Sequence, residues 1–251
     1  MFQIKFADFT IEYIRSWKPS RKNKLTHAAL PRRHGTLIPD IAFSDELVIQ
    51  MDGEVWKTSE SELKDYFVNL GAALQNAGRD RLFLRDDGRF VYAICTGTSF
   101  PNFESTRHAN GVGGGFSLEF TAGDPFWYNA TEAEYHYPLV PGSPFNFTIT
   151  NTGTVRTPCR IYITATPTAM TDVRVTNTTT GLYSRYRGTV QINQTVVFDG
   201  ERYTCLNNNS NDLNNFEGNF FLLEPGINNL TYAGPVGTVA IDMYWRERSI
   251  E

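Results

Sequence analysis

Carboxylates and histidines are the side chains of this sequence that would carry hydrolytic or metal chemistry. Asp52 and Glu54 stand two residues apart, and on a strand this spacing would put both carboxylates on one face, as a glycosidase requires. They flank Gly53, however, and an Asp-Gly pair is a common hairpin turn, which favours a solvated hairpin rim. The four histidines fit no HExxH, Cys/His or GxSxG pattern: His27, His34, His108 and His136. The sequence predicts no catalytic, cofactor-binding or metal-binding residue and no cofactor.

Two further patterns have structural interpretations. Cys95, Cys159 and Cys205 are an odd number without a CxxC pair, which argues against a disulfide framework or a zinc site and indicates buried free thiols. The glycine-rich segment 111–115 resembles a phosphate-cradling loop, but it precedes a strand instead of opening a helix. It is predicted to be a flexible loop tip.

A basic segment runs from Lys18 to Arg33 with six cations, two prolines and no acidic residue, and it is predicted to be a loop. The following residues 40–65 carry eight acids against two lysines. Three interpretations stay open for the basic segment: contact with a phosphate backbone, contact with another subunit, or a solvated loop. Head-to-tail assembly would pair the basic face of one copy with the acidic face of the next. The predicted interface residues are Arg21, Lys22, Arg32, Arg33, Asp52 and Glu54.

An asparagine-rich segment, residues 207–215, lies between two aromatic residues and has the composition of a sugar-binding loop. Amides would supply hydrogen bonds and aromatic rings would supply stacking. The competing interpretation is an ordinary turn, because Asn tolerates the left-handed backbone conformation. The residues predicted to contact a sugar are Tyr203, Asn208 and Phe216.

The elements that must position these residues are mostly strands. The chain has 251 residues, 14% aromatic and 20% charged, a balance typical of β-rich globular domains. Apolar alternation predicts strands or a hairpin over residues 2–17, then strands around a turn at Asp52-Gly53. An amphipathic helix is predicted over about residues 59–77, ending at Gly78, and it must lie on a sheet. The net charge of −4 gives no nucleic-acid footprint, and no apolar run is long enough for membrane insertion.

The second half changes character after Tyr137, where a proline-rich linker reaches Pro144. Nine short strand candidates then follow at regular spacing, separated by turn signals, which predicts a β-sandwich. We expect two domains, residues 1–137 with the single helix and residues 138–251. The fold class is mainly β, a β-barrel or sandwich followed by a sandwich.

The aromatic segment before this linker has the composition of a ligand platform, because exposed Trp rings can stack on ligands. We expect it instead to form the joint between the two domains or a contact with a neighbouring copy. Trp127 is expected to be needed for folding or assembly. The residues of this joint are Asp124, Phe126, Trp127 and Tyr128.

The order of motifs along the whole chain resembles the distal tail protein family of long-tailed phages. In the first half the resemblance is carried by Arg33-His-Gly35, by the strand Asp87–Tyr92 and by Leu118–Tyr128. In the second half it is carried by Cys159-Arg-Ile-Tyr-Ile163 and by Phe220–Asn229. Together these motifs identify the chain as similar to that family over essentially its full length.

The resemblance implies a structural virion protein that forms a hexameric ring at the distal end of a phage tail. Its N-terminal domain, related to the tail-tube fold, would make the ring and a channel through which DNA passes without specific binding. Its C-terminal domain would be a galectin-like or carbohydrate-binding-module-like sandwich. The implied partners are other copies, the tail tube protein, tail-tip hub or tail-associated proteins, and receptor-binding protein or host polysaccharide. The alternatives are a carbohydrate-binding module and, more remotely, a glycoside hydrolase; the family has no catalytic residues.

Overall fold

The computed structural model describes residues 2–24, 28–29, 36–37, 43–84, 88–100, 106–108, 111–166, 168–235 and 239–250. The chain divides into two compact units, Met1–Trp127 and Tyr128–Glu251. The sequence pattern had put the boundary ten residues later, between residues 137 and 138. The difference arises because the strand Ala133–Tyr137 pairs along its length with Val239–Trp245 of the second unit.

The first unit consists of antiparallel strands and one α-helix among its described residues. The helix α1 is Glu60–Ala77. The strands are β1 Phe2–Phe6, β2 Phe9–Lys24, β3 Ala28–Ala29, β4 Thr36–Leu37, β5 Phe43–Lys57, β6 Asp80–Phe83, β7 Arg89–Ser99, β8 Thr106–His108 and β9 Gly111–Ala122. Within the unit, the main sheet has the order β7-β6-β1-β2-β5-β9-β8, and β7 also pairs with β9.

Helix α1 confirms the helix expected from the sequence. Ser59 is its N-cap and accepts a hydrogen bond from the Glu62 backbone N–H through its side chain, at 3.3 Å. Gly78 follows the last turn with φ 58°, a conformation that glycine adopts without steric cost. The helix buries Leu63, Phe67, Leu70 and Leu74 along one stripe, and these side chains belong to the core of the first unit.

The turn predicted at Asp52-Gly53 is wrong, because β5 runs without interruption from Phe43 to Lys57. Gly53 serves packing and not chain reversal. A Cβ atom at this position would lie 2.2 Å from Cζ of Phe116, whose ring covers the backbone. The residues around Gly53 are therefore a regular strand with Asp52 and Glu54 on its outer face.

The glycine-rich segment 111–115 also differs from its prediction, since it forms the first part of β9 instead of a loop tip. Aromatic rings lie against its backbone. A Cβ atom at Gly113 would lie 2.8 Å from the Trp56 ring, and one at Gly114 would lie 2.9 Å from the Phe67 ring. The missing side chains leave room for the helix and for the neighbouring strand.

The loop predicted for the basic segment is wrong from Lys18 to Lys24, because β2 continues to Lys24. Pro19 lies inside this strand, opposite Ile49 of β5. Proline is tolerated in a strand where its missing N–H faces no partner, typically at a sheet edge. The remaining residues of the segment, apart from Ala28 and Ala29, lie outside the described residues.

The second unit is a β-sandwich. Its strands are β11 Ala133–Tyr137, β12 Phe145–Asn151, β13 Thr157–Ala165, β14 Met170–Asn177, β15 Leu182–Val190, β16 Thr195–Asp199, β17 Thr204–Asn207, β18 Ser210–Asn211, β19 Phe216–Gly218, β20 Leu222–Leu223, β21 Gly226–Ala233, β22 Val239–Trp245 and β23 Arg248–Ser249, with β10 Trp127–Asn129 at the division. One sheet has the order β11-β22-β13-β16-β17-β18, with β20 also paired to β13. The other has the order β12-β21-β14-β15-β19.

The two sheets of the second unit share one apolar core. It includes Ile161 and Met243 from the first sheet and Val175 and Tyr232 from the second. The nine predicted strands overlap the observed ones, although the candidate at residues 219–223 is reduced to β20 at its C-terminal end. A short 3-10 helix, Leu213–Asn215, was not predicted. The expected fold class, mainly β with a single α-helix and a sandwich, is confirmed.

Candidate assembly and binding surfaces

The outward side chains of β5, β7 and β9 form a surface that we call the polar face. Along these strands apolar residues such as Met51 and Leu118 point inward and are buried, so the alternate residues point outward. Pairing of β5 with β9 sets Gln50 opposite Glu119 and Asp52 opposite Ser117. The structure thus gathers carboxylates, hydroxyls and an amide from strands distant in sequence.

Hydrogen bonds link the side chains of the polar face to one another. Ser117 donates through its hydroxyl to Asp52 Oδ1 at 2.6 Å, and Gln50 Nε2 donates to Glu119 Oε2 at 3.0 Å. Thr96 Oγ1 lies 3.3 Å from Glu119 Oε1. These bonds join side chains of β5, β7 and β9 into one hydrogen-bonded network.

A shallow cleft of about 430 Å³ lies in the polar face. Its two charged lining residues are both acidic, Asp52 and Glu119, and the lining contains no lysine or arginine. An anion within this cleft would meet carboxylates and hydroxyls, and Lys18, exposed on β2 opposite Gln50, is a cation that stands beside the cleft.

Asp52 and Glu54 lie on one face of β5, as the spacing predicts, but each has a different partner. Asp52 accepts the hydrogen bond from Ser117, whereas Glu54 forms an ion pair with Arg15 of β2. Contacts within the chain therefore engage both carboxylates. The arrangement is that of a surface strand whose acids are held by cross-strand neighbours.

The basic interface residues of the sequence prediction divide between the described and undescribed parts of the chain. Arg21 lies in β2 opposite Leu47, and Lys22 lies opposite Glu46. Arg32 and Arg33 lie outside the described residues. The structure thus brings two of the four predicted cations onto one strand beside β5.

The aromatic segment that was predicted to form the domain joint is mostly buried and offers no exposed platform. Trp127 is 6% exposed, and its ring lies 6.4 Å from that of Trp17 in an edge-to-face arrangement. Tyr128 is 7% exposed, while Phe126 and Asp124 are half-buried. The division between the two units falls between Trp127 and Tyr128.

The three residues expected to contact a sugar are not brought together. Phe216 stacks on Phe220 with ring centroids 4.2 Å apart, and Tyr203 meets the Phe220 ring edge-on at 6.0 Å. Asn208 lies beyond the far end of β17, the four-residue strand Thr204–Asn207, which spans roughly 13 Å in extended conformation. Tyr203 and Phe216 share an aromatic row, and the length of β17 separates Asn208 from Tyr203.

Sequence reasoning missed a second group of polar and aromatic side chains, on the outward face of β13 and β22. Arg160, Tyr162 and Thr164 alternate with buried residues on β13, and Asp242 and Tyr244 do so on β22. The alternation was visible in the sequence, but it does not say which strands are neighbours. Pairing of β13 with β22 is what turns two separate patterns into one surface.

The described residues also bear on the metal and membrane predictions made from the sequence. Over that part of the chain, no group of three or more His, Cys, Asp or Glu side chains is arranged to hold a metal ion. The three cysteines are free thiols; Cys159 and Cys205 are buried and Cys95 is half-buried. Burial raises the pKa of the Cys159 thiol to about 12, with a smaller contribution from the Asp199 carboxylate. No helix in the described ranges is long and apolar enough to cross a membrane.

Comparison with known proteins gives one family match and several structural ones. Residues 152–248 match the model of the siphovirus-type tail component, C-terminal domain, a family labelled SPP1 Dit. The whole chain is similar to the crystal structure of the SPP1 Dit protein, described as a paradigm of the hub adsorption apparatus in phages that infect Gram-positive bacteria. The identity is 13%, 99% of each chain is covered, and the TM-score is 0.76.

A second structural match is the baseplate of phage P2 in its activated conformation with Ca. Here the identity is 9%, with 99% of this chain and 98% of the other covered, and the TM-score is 0.51. A comparison with curated proteins gave no match. The matched family and structures are structural components of phage tails. The resemblance to phage distal tail proteins that the sequence motifs indicated is confirmed.

Proposed function

We propose that six copies form a ring hub at the distal end of a phage tail, from the premise that residues 152–248 match the siphovirus-type tail component model and that the whole chain has a Dit-like fold. In this proposal the first unit makes the ring and surrounds a channel for DNA. The second unit carries neighbouring tail-tip or receptor-binding proteins. The role is structural and no catalysis is involved.

The observation that supports a ring is strand β2 of the first unit, which is paired along only one side for part of its length. Strand β1 pairs with β2 only as far as Ile14, while β5 pairs with the other side of β2 as far as Lys24. From Lys18 onward, β2 therefore has no strand partner on the β1 side among the described strands. An edge of this kind is a template for association with another chain.

The composition of this edge suits a specific contact better than open-ended aggregation. It carries Pro19 and basic residues such as Lys18 and Lys22, and these residue types protect edges from indiscriminate pairing. A contact between the β2 edge of one copy and a different surface of the next is heterologous. Such contacts end in a closed assembly only if the rotation that relates successive copies brings the last copy back to the first. A closed six-fold ring meets that need.

The polar face is the surface that we assign to the channel. Phosphate groups bind proteins mainly through lysine and arginine, with release of condensed counterions. The charged residues of the cleft are Asp52 and Glu119, so DNA would gain no such binding from the cleft itself, and Lys18 of β2 is the cation in register beside it. The hydrogen bonds between the side chains of the polar face leave few polar groups free to hold a passing duplex.

Light scattering with negative-stain imaging of the purified full-length protein tests the ring. We expect particles of six 28.4 kDa chains, about 170 kDa, with a central hole. A protein that stays monomeric throughout the micromolar range and shows no rings in the images would contradict the proposal.

The contribution of the β2 edge is tested by Lys22→Glu against Lys64→Glu. Both variants make the same change in net charge, but Lys64 lies exposed on helix α1, away from the edge. Each rim contact of this type contributes about 1 kcal/mol or less, and six of them act together in ring closure. We expect Lys22→Glu to raise the protein concentration needed for half-assembly and Lys64→Glu to leave it unchanged. An equal response from both variants would exclude the edge as the contact.

A further inference from the structure

Two strands of the second unit lie at the ends of their sheets and beside each other. Among the described strands, β11 pairs only with β22 and β12 pairs only with β21, so each has one unpaired side. Aromatic rings join the two strands. Tyr135 of β11 stacks on Phe147 of β12 with ring centroids 4.9 Å apart, and Tyr137 meets Phe145 at 4.5 Å. We call the unpaired side of β12 the β12 edge.

The β12 edge lacks the features that usually protect the edge of a sheet. Its seven residues, Phe145–Asn151, are uncharged and include no proline, and their register with β21 has no bulge. Natural edge strands commonly carry lysine, proline or a bulge, which discourage pairing with another chain. Strand β2 has such protection in Lys18 and Pro19. The β12 edge instead offers backbone N–H and C=O groups to a further strand.

Alternation along β12 defines what a further strand must match. The outward residues Asn146, Thr148 and Thr150 are exposed and polar. Phe147 and Ile149 point inward and belong to the core of the second unit. Directly opposite residues of paired strands lie on the same face of a sheet. An added strand must therefore place polar residues on the outward face and apolar residues on the inward face.

The sequence of β12 meets this requirement when it pairs with itself in antiparallel orientation. A register centred on Thr148 gives a partner to each of the seven residues. On the outward face Asn146 lies opposite Thr150. On the inward face Phe147 lies opposite Ile149, and pairs of aromatic and β-branched residues stabilise antiparallel sheets. A shift by one residue would set polar residues opposite apolar ones, so the register is well specified.

We propose that the β12 edge joins two copies of the chain in a two-fold contact. The five-stranded sheet of one second unit then continues into that of the other copy. Tyr135, Tyr137 and Phe145 are half-buried at this side of the unit, and covering them with a second copy removes apolar surface from water. A second copy is the occupant because it supplies both rows of side chains in register and brings no charge to the contact.

This contact goes beyond the ring hub and differs from it in symmetry. A two-fold contact uses the same patch on both copies, whereas adjacent copies of a ring meet through two different patches. The β12 contact therefore joins copies of two rings, or copies that have not entered a ring. It lies in the second unit and the β2 edge lies in the first, so one contact forms without the other. The two proposals consequently fail separately.

Sedimentation velocity of the full-length protein tests the two-fold contact. We expect particles of two 28.4 kDa chains, about 57 kDa, where rings are absent, and pairs of rings where rings form. Thr148→Lys should weaken this pairing at least about tenfold, because it sets two lysines directly opposite each other. The control is Thr171→Lys, an exposed residue of β14, which is an inner strand of the same sheet. Absence of pairing throughout the micromolar range, or an equal response of the two variants, would overturn the proposal.

A mixture of oppositely charged variants tests the register. Thr148→Glu should also lose pairing when it is alone, for the same reason as Thr148→Lys. Mixing the two variants should restore pairing, because each lysine then lies opposite a glutamate. A mixture that stays as unpaired as its components would exclude the register centred on Thr148.

Disulfide formation gives a second measure of the same register. Directly opposite residues of antiparallel strands have Cα atoms about 4.5–5.5 Å apart, which is within the range of a disulfide. Thr148→Cys should therefore link two chains under mild oxidation. Thr150→Cys is the control on the same face of the same strand, since its counterpart would lie about 13 Å away along the strands. Equal linkage of the two variants, or linkage of neither above the wild-type level, would contradict the contact.

Discussion

At the scale of single residues, Gly53 shows that glycine can be needed for packing as well as for a turn. An Asp-Gly pair is a strong turn signal because glycine adopts positive φ without steric cost. Gly53 instead sits in the middle of β5, where the Phe116 ring occupies the space of a side chain. The sequence carries no local mark of this use, since Phe116 is 63 residues away and becomes a neighbour only when β5 pairs with β9.

Gly53→Ala should therefore destabilise the first unit. Its new Cβ would lie 2.2 Å from Phe116 Cζ, which forces a core ring to move. Overpacking of this kind costs about 1–3 kcal/mol of unfolding free energy. Urea denaturation monitored by fluorescence measures the change.

The matched control for this substitution is Gly123→Ala. No atom lies within 4 Å of a Cβ built at Gly123, so this variant should retain wild-type stability. Adding Phe116→Leu to Gly53→Ala should recover part of the loss. Equal stability of Gly53→Ala and the wild type would show that the Phe116 ring shifts freely.

Residue types alone predicted only in part which side chains of the proposed sugar contact lie near one another. Tyr203 and Phe216 do share an aromatic row through Phe220, but the extended strand β17 separates Asn208 from Tyr203. Sequence distance was the only guide to proximity, and four extended residues are enough to separate two side chains. The interface and joint residues stay predictions.

At the scale of elements, helix α1 was predictable because its signals are local. The cap, the apolar stripe and the terminal glycine all lie within about twenty residues of one another. Glu62 completes the N-terminus by accepting hydrogen bonds from the backbone N–H of Thr58 at 3.1 Å and from its hydroxyl at 2.5 Å. These bonds, the hydroxyl first, lower the pKa of the Glu62 carboxyl.

Ser59→Ala should lower the free energy of unfolding by about 1 kcal/mol, because it removes the hydrogen bond to the Glu62 N–H. Thermal unfolding followed by circular dichroism measures the effect. Ser61→Ala, an exposed serine in the first turn, is the control and should be neutral or slightly stabilising. If the two variants had the same melting temperature, Ser59 would have no capping role.

Acid should weaken the same helix terminus. A carboxyl whose folded pKa is lowered contributes stability that is present above its unfolded pKa and is lost as the pH falls through the folded value. The difference between Ser59→Ala and Ser61→Ala should therefore be measured near neutral pH, where Glu62 is ionised.

Strands of the second unit were also predictable, and those of the first unit less so. In the sandwich, apolar and polar residues alternate regularly and turns separate the strands, so local pattern is sufficient. In the first unit, β2 and β5 run for 16 and 15 residues through proline and Asp-Gly signals that normally end strands. Extended pairing between the two strands overrides those signals.

At the scale of the whole molecule, the chain has two separate cores with comparable tryptophans. Trp127 belongs to the core of the first unit and Trp245 to that of the second, and each is 6% exposed. Each unit buries its own apolar residues, which is the property of an independently folding domain.

Trp127→Ala should destabilise the first unit by about 3–5 kcal/mol, the usual cost of truncating a buried Trp. Hydrogen exchange measured by mass spectrometry should rise in peptides of residues 1–127 and stay near wild type in the second unit. Trp245→Ala is the reciprocal control and should give the opposite distribution. We also expect Trp127→Ala to impair ring assembly. Equal exchange in both units of either variant would refute the separation.

The sequence by itself determined the fold class, the helix, the strands of the sandwich and the resemblance to distal tail proteins, because these depend on patterns a few residues long or on motif order. Only the tertiary structure decided the use of Gly53, the continuation of β2 to Lys24, and the polar face. It also decided the surface that Tyr162 and Tyr244 share across β13 and β22. These features depend on which strands are neighbours and in what register, and register is set by pairing across dozens of residues.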